Sequence, residues 1–271
     1  MQQDKWKNLH LNMMNGIFNS VPARYRFRLQ DLRKNWFPNA YHRKMQQHNE
    51  KMQQFYKQFL SPGDLVIDVG ANLGNRVDTF LKLDCKVVAV EPQPDCADFL
   101  RWKFRDKIVL IQKGMSDHDG EEEMNISESH TISSFANDWV DAVSKSGRFQ
   151  GSSWEKKMRI EMSTLDKVIK QFGEPVFIKI DVEGYEPTVI RGLSKSVRFI
   201  SFEYTVPEQV NKVEECLNHL SAIDSHYKFN YSTGETFEFS LPEWVPAEEM
   251  RKVIASTQFM SFSNGDVYAK K

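Results

Sequence analysis

From residue 64 onward the chain alternates short apolar, β-rich runs with stretches of helical periodicity, and nothing else in it restricts the possible folds so far. Leu65 to Val69, Lys86 to Val90 and Ile108 to Gln112 read as strands, with helices predicted near 75 to 83 and 94 to 104 between them. Val176 to Ile180, a short helix near 187 to 194, Arg198 to Glu203, a longer helix near 208 to 221 and a last pair of strands around Lys228 to Tyr231 and Asp266 to Ala269 continue the pattern. These strands are apolar at nearly every position, so both faces of the sheet must be covered. The implied architecture is α/β, a doubly wound and mostly parallel sheet with ligands bound beyond the carboxyl ends of its strands.

Three of those strand ends carry related chemistry. In "LVIDVGANLG" the first strand reaches Asp68 and breaks into a loop, where Gly70 permits a tight turn and Gly74 lets backbone N–H groups at the helix start approach a ligand. Glu91 ends "VVAVEP", 21 residues after Gly70, and a carboxylate there can accept both hydroxyls of a ribose. Asp117, in "QKGMSDHDG", follows the third strand. A strand, a glycine loop and an acid at the next strand end describe a nucleoside-containing cofactor. A dinucleotide fingerprint needs G-x-G-x-x-G, yet Asn72 and Asn75 stand where its second and third glycines would be, leaving less room for a pyrophosphate. The loop suits S-adenosylmethionine (SAM), with the amino-acid end by the loop and the adenosine over the second strand.

The rest of the chain sets bounds on this expectation. Its 271 residues, 40% of them hydrophobic, can bury a full core as one domain (residues 61–271) with a basic helical N-terminal extension (residues 1–60). The extension carries 11 Lys/Arg against Asp4, Asp31 and Glu50, a net +8, while the remainder carries 25 against 34, a net −9. Within it Met45, Met52, Phe55, Tyr56 and Phe59 recur at helical spacing, as for a face packed on the body, up to the Ser61-Pro62-Gly63 turn. No apolar run is long enough to span a bilayer and the N-terminus lacks the order of a signal peptide, so a cytoplasmic location is expected. Cys85, Cys96 and Cys216 are odd in number and show no C-x-x-C, which predicts buried thiols rather than disulfides or zinc.

The pieces "VIDVGANLGNRVDTFL", "VVAVEPQPD", "GMSDHDGE", "ISSF", "STLDKVI" and "FIKIDVEGYEPTVIRGL" occur in the order seen in the FkbM family of SAM-dependent methyltransferases, which residues 64 to about 204 resemble. The resemblance implies a seven-stranded class I (Rossmann-like) methyltransferase sheet and O-methylation, frequently of sugar hydroxyls in glycans and natural products. It assigns Asp68, Gly70, Ala71, Asn72, Gly74 and Glu91 to the cofactor, with Met115 and Asp117 at the adenine end. Asn75-Arg76-Val77-Asp78 depart from the small or aromatic residues that commonly follow the loop in the family.

An alcohol is almost fully protonated at neutral pH and gains from a base as it attacks. Lys179 and Asp181 share one side of the otherwise apolar "FIKID" strand, where charge is costly unless paired. Asp181 is the leading general base and Lys179 its electrostatic partner. Glu183 has a loop-capping reading beside a catalytic one. Glu203, ending the adjacent strand, can share a pocket with Asp181, raising one pKa or holding a divalent metal, though no metal is assigned. His130, in "SESHTISSF", competes as base. The other histidines (His10, His42, His48, His118, His219, His226) show no paired spacing and are expected at the surface.

The acceptor is the least defined. About 30 residues, "ESHTISSFANDWVDAVSKSGRFQGSSWEKK", are long for an idle connection and predict a lid whose Trp139, Phe149 and Trp154 stack on a sugar or a nucleobase. A saccharide or glycan partner is expected, with nucleic acid disfavoured by the acidic body. An RNA ribose 2'-O-methyltransferase using Lys179, Asp181 and Glu203 remains an alternative, as does a nucleotide-binding oxidoreductase or sensor. Oligomeric state is left open.

Overall fold

The computed structural model describes residues 21–36 and 40–271. Two helices come first, α1 (Ala23–Trp36) and α2 (Ala40–Tyr56), followed by the alternation β1 (Leu65–Val69), α3 (Asn75–Lys82), β2 (Lys86–Val90), α4 (Pro94–Phe104) and β3 (Ile108–Ile111). Next are β4 (Gly114–Met115), β5 (Gly120–Ile126), α5 (Asn137–Ser146), β6 (Lys156–Ser163) and α6 (Leu165–Phe172). The chain then returns to the main sheet with β7 (Phe177–Ile180), α7 (Glu186–Arg191), β8 (Phe199–Thr205), α8 (Val210–Ile223), β9 (Lys228–Thr233), β10 (Val245–Pro246), α9 (Ala247–Ile254), α10 (Thr257–Met260) and β11 (Asn264–Lys270).

The main sheet runs β10-β9-β11-β8-β7-β1-β2-β3. Its centre, from β8 through β7, β1 and β2 to β3, is parallel, whereas β11 lies antiparallel between β8 and β9. This is the expected doubly wound sheet with eight strands in place of seven. The additional one is β10, two residues on the edge beside β9, whose Pro246 has no N–H to extend the ladder further. From β1 the chain moves outward through β2 to β3 and re-enters on the other side of β1 at β7, so a crevice opens between β1 and β7 at their carboxyl ends.

Alternation within each strand divides the core. Ile67, Val69, Ile178, Ile180, Ile200 and Phe202 meet Val189, Ile190, Val213 and Leu217 of α7 and α8 on one face. On the other, Val66, Val87, Ala89, Phe177 and Tyr268 meet Val77 and Phe80 of α3 and Met52, Phe55 and Tyr56 of α2. The helical stripe of residues 52–59 is packed on the body as its spacing predicted. Asp68, Lys179, Ser201 and Tyr268 are aligned in register across β1, β7, β8 and β11, so buried polar groups occupy the α2 side of the sheet. The three cysteines are free and buried, as expected.

A smaller sheet, β4-β6-β5, was not foreseen, because β5 and β6 are charged and largely exposed with no apolar run and β4 is only two residues long. The predicted lid is also different. Its middle folds into α5, Trp139 is fully buried against Gly184, and Trp154 donates its indole N–H to the Ile132 carbonyl at 2.6 Å. These aromatics pin the segment to the body instead of facing an acceptor, since burying them releases more free energy than presenting them to water. Of the histidines expected at the surface, His48 and His219 are half-buried, His118 and His226 are exposed, and His10 and the side chain of His42 lie outside the described residues.

Candidate active site

The crevice holds a cavity of about 330 Å³ lined by the loop after β1 (Gly70 to Leu73, with Asn75 and Arg76), by Glu91 to Gln93 after β2, and by Asp181 to Glu183 after β7. Glu203 of β8, His130, Ser133 and Phe135 from the segment before α5, and Glu235 after β9 complete the wall. The volume is typical of a small-molecule site.

Loop geometry follows from close packing. Gly70 has φ +83°, and a Cβ there would stand 1.8 Å from the Asp181 carbonyl oxygen, so only glycine lets β1 and β7 end side by side. Gly74 serves a different purpose from the expected one. A Cβ on it would meet the Phe104 ring at 2.4 Å, its N–H donates to the Ala71 carbonyl, and it seats the start of α3 on α4 without lining the cavity. Glu91 is buried, and its carboxylate accepts the backbone N–H groups of Asn72 and Gln93, each at 2.8 Å. Burial pushes its pKa up to about 7 against those hydrogen bonds. Asp68, also buried, is pushed to about 7 by burial despite the nearby Lys179 charge, and its Oδ2 has no protein partner.

Met115 and Asp117 are not brought to the cavity. Pairing of β4 with β6 carries the chain away from the ends of β1 and β2, so Met115 joins the core and Asp117 lies at the surface between His118 and Arg191, at 2.7 and 3.0 Å. Gln93, Ser133, Phe135 and Met124 line the cavity instead. Gln93 lies two residues beyond Glu91, and Ser133 and Phe135 lie in the "ISSF" piece, to which no site role was given; Met124 lies on a segment with no local signal.

The carboxylate end is denser in charge than the sequence suggested. Lys179, fully buried, donates to Asp266 Oδ1 at 2.7 Å and to Asp181 Oδ2 at 3.3 Å. Burial alone would lower its pKa; Asp181 and Asp266 outweigh that and raise it. Asp266, on β11, is its closer partner and was missed because only the β8–β11 pairing places it there. Burial disfavours charge on Asp181, but Lys179 and Arg76 prevail and hold its carboxyl below the usual range, with a hydrogen bond from Glu203 adding to them. Burial and the Asp181 charge together raise Glu203 and Glu183 well above theirs. Carboxylate oxygens of Asp181, Glu183 and Glu203 lie within 4.8 Å of one another, a spacing that could hold a divalent cation.

Glu183 adopts φ +54°, uncommon for a residue with a side chain, and its carbonyl is anchored by the Ser134 hydroxyl at 2.6 Å. The expected capping role belongs to Glu186, whose Oε1 accepts the Val182 and Gly184 N–H groups at 3.1 and 3.2 Å, which frees Glu183 to face the cavity. Arg76 lines the cavity, paired with Glu235 at 2.8 Å and set over the Phe237 ring at 5.1 Å. Burial lowers the pKa of His130 and leaves its Nδ1 without a hydrogen-bond partner, while its carbonyl accepts the Asn72 and Gln93 side-chain amides.

These residues fit SAM. The backbone at Gly70 to Asn72 is open to the cavity, Glu91 keeps a lone pair on each oxygen, and Asp68 retains an unpartnered oxygen. Among solved structures, the chain is similar to a precorrin-6y C5,15-methyltransferase from Geobacter metallireducens (11% identity, 82% of this chain and 88% of that one, TM-score 0.43) and a putative O-methyltransferase from Klebsiella pneumoniae (10%, 100% and 99%, 0.41). It is also similar to a putative methyltransferase from Streptococcus mutans in complex with SAH (12%, 82% and 96%, 0.40). No curated protein matches the sequence significantly. The family described as the methyltransferase FkbM domain matches residues 68–235, spanning both the glycine loop and the carboxylate end of the cavity. The chain belongs to the FkbM methyltransferase family, and its cofactor is SAM.

Proposed function

We propose that this methyltransferase acts on a hydroxyl group, that of a sugar in a glycan or glycosylated natural product, with Asp181 as general base. The observation that carries the proposal is the place of Asp181, 3.3 Å from the Lys179 ammonium and within 4.8 Å of the Glu183 and Glu203 carboxylates, on the wall of the cavity that the glycine loop also lines. When bound, SAM supplies a methyl group already activated by its sulfonium. Gly70, Ala71 and Asn72 would hold its amino-acid end, and Glu91 and Gln93 its nucleoside side.

Asp181 would accept the hydroxyl proton as the C–O bond forms and the sulfur–methyl bond breaks, so that the products are a methyl ether, S-adenosylhomocysteine and a protonated carboxyl. Lys179, fixed by Asp266, keeps Asp181 charged until then and remains protonated itself. Glu203, its carboxyl raised well above the usual range by burial and the Asp181 charge, lies within 4.8 Å of Asp181 and would help orient it. A sugar is supported by the polar wall of Asn72, Asn75, Thr131, Ser133 and Glu235 with the Phe135 ring among them, and by the family resemblance. Neither Trp139 nor Trp154 takes part.

Membership in the methyltransferase family removes the oxidoreductase alternative. For the RNA alternative, the lining residues include no lysine, and Arg76 is the cation there. A methyl-transfer assay with labelled SAM against glycans, nucleosides and small alcohols tests the acceptor. Label in a saccharide ether is expected; label in a ribose of RNA with none in any saccharide overturns the acceptor assignment.

A further inference from the structure

Helix α1 presents an apolar face to solvent. Tyr25, Leu29 and Leu32, four and three residues apart, are 46%, 50% and 43% exposed. The opposite face is anchored, with Phe27 edge-on to Phe99 at 6.0 Å and to His130 at 4.9 Å, and Asp31 paired with Lys103 at 3.2 Å. The exposed stripe therefore belongs to a docked helix, not a loose one. At about 100° per residue, Arg24 and Arg28 border the stripe on one side and Arg33 on the other. The guanidinium groups of Arg24 and Arg28 sit 5.3 and 5.7 Å from the Tyr25 ring.

We propose that α1 docks the protein on an anionic lipid surface, seating Tyr25, Leu29 and Leu32 at the boundary of headgroups and acyl chains with the flanking arginines on lipid phosphates. An apolar centre bordered by long cationic side chains matches such a boundary at both levels, because the exposed Arg24 and Arg33 can extend outward while the stripe is buried; Arg28 is half-buried, its guanidinium 5.7 Å from the Trp102 ring. A second copy of the chain fits less well. Three partly exposed side chains fall far short of the roughly 800 Å² per partner of a stable interface, and a symmetric contact would set the arginine borders against each other. A nucleic acid would occupy the arginines and leave the leucines against phosphates. The charge of the chain is also biased toward this end, with a net +8 in residues 1–60 against −9 in the remainder. Through Phe27, α1 touches His130 of the cavity wall, so docking brings the cavity near the headgroups, where a lipid-linked acceptor would be presented. That consequence rests on the proposed function; the docking itself does not.

Co-sedimentation of the full chain with vesicles tests it, using phosphatidylcholine alone and a mixture with about one third phosphatidylserine. Binding to the anionic vesicles is expected, weakened about tenfold by the Leu29→Ser, Leu32→Ser pair and several-fold by Arg33→Glu. These side chains are exposed and outside the cavity, so thermal midpoint and affinity for S-adenosylhomocysteine should match the parent; if the leucine pair unfolds, Arg33→Glu still decides. Absence of binding to anionic vesicles overturns the proposal, as does binding that neither variant weakens. So does a dimer in solution that the leucine variant converts to monomer. RNA duplex binding without vesicle binding, lost in Arg33→Glu but kept in the leucine pair, would assign the face to nucleic acid instead.

Discussion

Asp181 and Glu91 line one cavity, and the roles proposed for them separate chemistry from cofactor affinity. Asp181→Asn keeps the shape of the side chain and should lower turnover by about 10² to 10⁴ with SAM affinity changed only a few-fold, whereas His130→Ala should lose much less. A kinetic comparison that reversed this order would transfer the base role to His130. Glu91→Ala removes the cofactor's acceptor and releases the Asn72 and Gln93 amides, so calorimetry should show S-adenosylhomocysteine binding weaker by about tenfold to a hundredfold. Glu186 sets a pH dependence of another kind. Burial raises its folded pKa to about 7, above its unfolded value, so folding favours the protonated form. The associated stability is fully present below the unfolded pKa and is lost as pH rises through about 7. Glu186→Gln keeps an acceptor for the Val182 and Gly184 amides and cannot ionise. Denaturant unfolding should show the variant gaining on the parent by on the order of 1 kcal/mol or more between pH 5 and pH 8. An unchanged difference across that range would mean that Glu186 ionises without penalty.

At the scale of elements, α5 supports the loop after β7 by filling the space over Gly184. A Cβ on that glycine would lie 2.5 Å from the Trp139 ring, so helix and loop can pack only as a glycine–tryptophan pair. Trp139→Ala should destabilise the protein by about 3 to 5 kcal/mol and lower activity through disorder of residues 183–185. Unfolding curves would separate this from an acceptor contact, which would raise KM with little change in stability. The periodicity of 128–157 could not distinguish these outcomes, because a tryptophan in a polar segment looks the same facing a ligand or facing the body.

Over the whole molecule, the site is closed by a residue near the far end of the chain. Strand β11 inserts between β8 and β9, and its Asp266 neutralises the most deeply buried lysine of the active site. Asp266→Ala leaves Lys179 with Asp181 alone and should cost about 3 to 5 kcal/mol. Turnover should fall with it, since Lys179 would draw more strongly on Asp181. If turnover and unfolding midpoint both stayed at the parent values, the Lys179–Asp266 pair would have no part in either.

Local chemistry was legible in the sequence. The alternation of apolar runs specified a covered parallel sheet, the glycine loop followed by Glu91 pointed to a nucleoside cofactor, and "KIDVEG" placed a buried charge at a strand end, because backbone conformation and burial leave a short-range record in residue order. Which distant groups meet was decided by register and closure. Asp266 reaches Lys179 only through the antiparallel β11, Glu203 meets Asp181 only because β8 lies beside β7, and Arg76 and Glu235 pair across 159 positions to form one wall. Met115 and Asp117 leave the site because β4 pairs with β6. Pairing energies between side chains depend on distances that no local pattern records, so the electrostatic setting of Asp181, Glu183 and Glu203 became defined only when the sheet had closed around them.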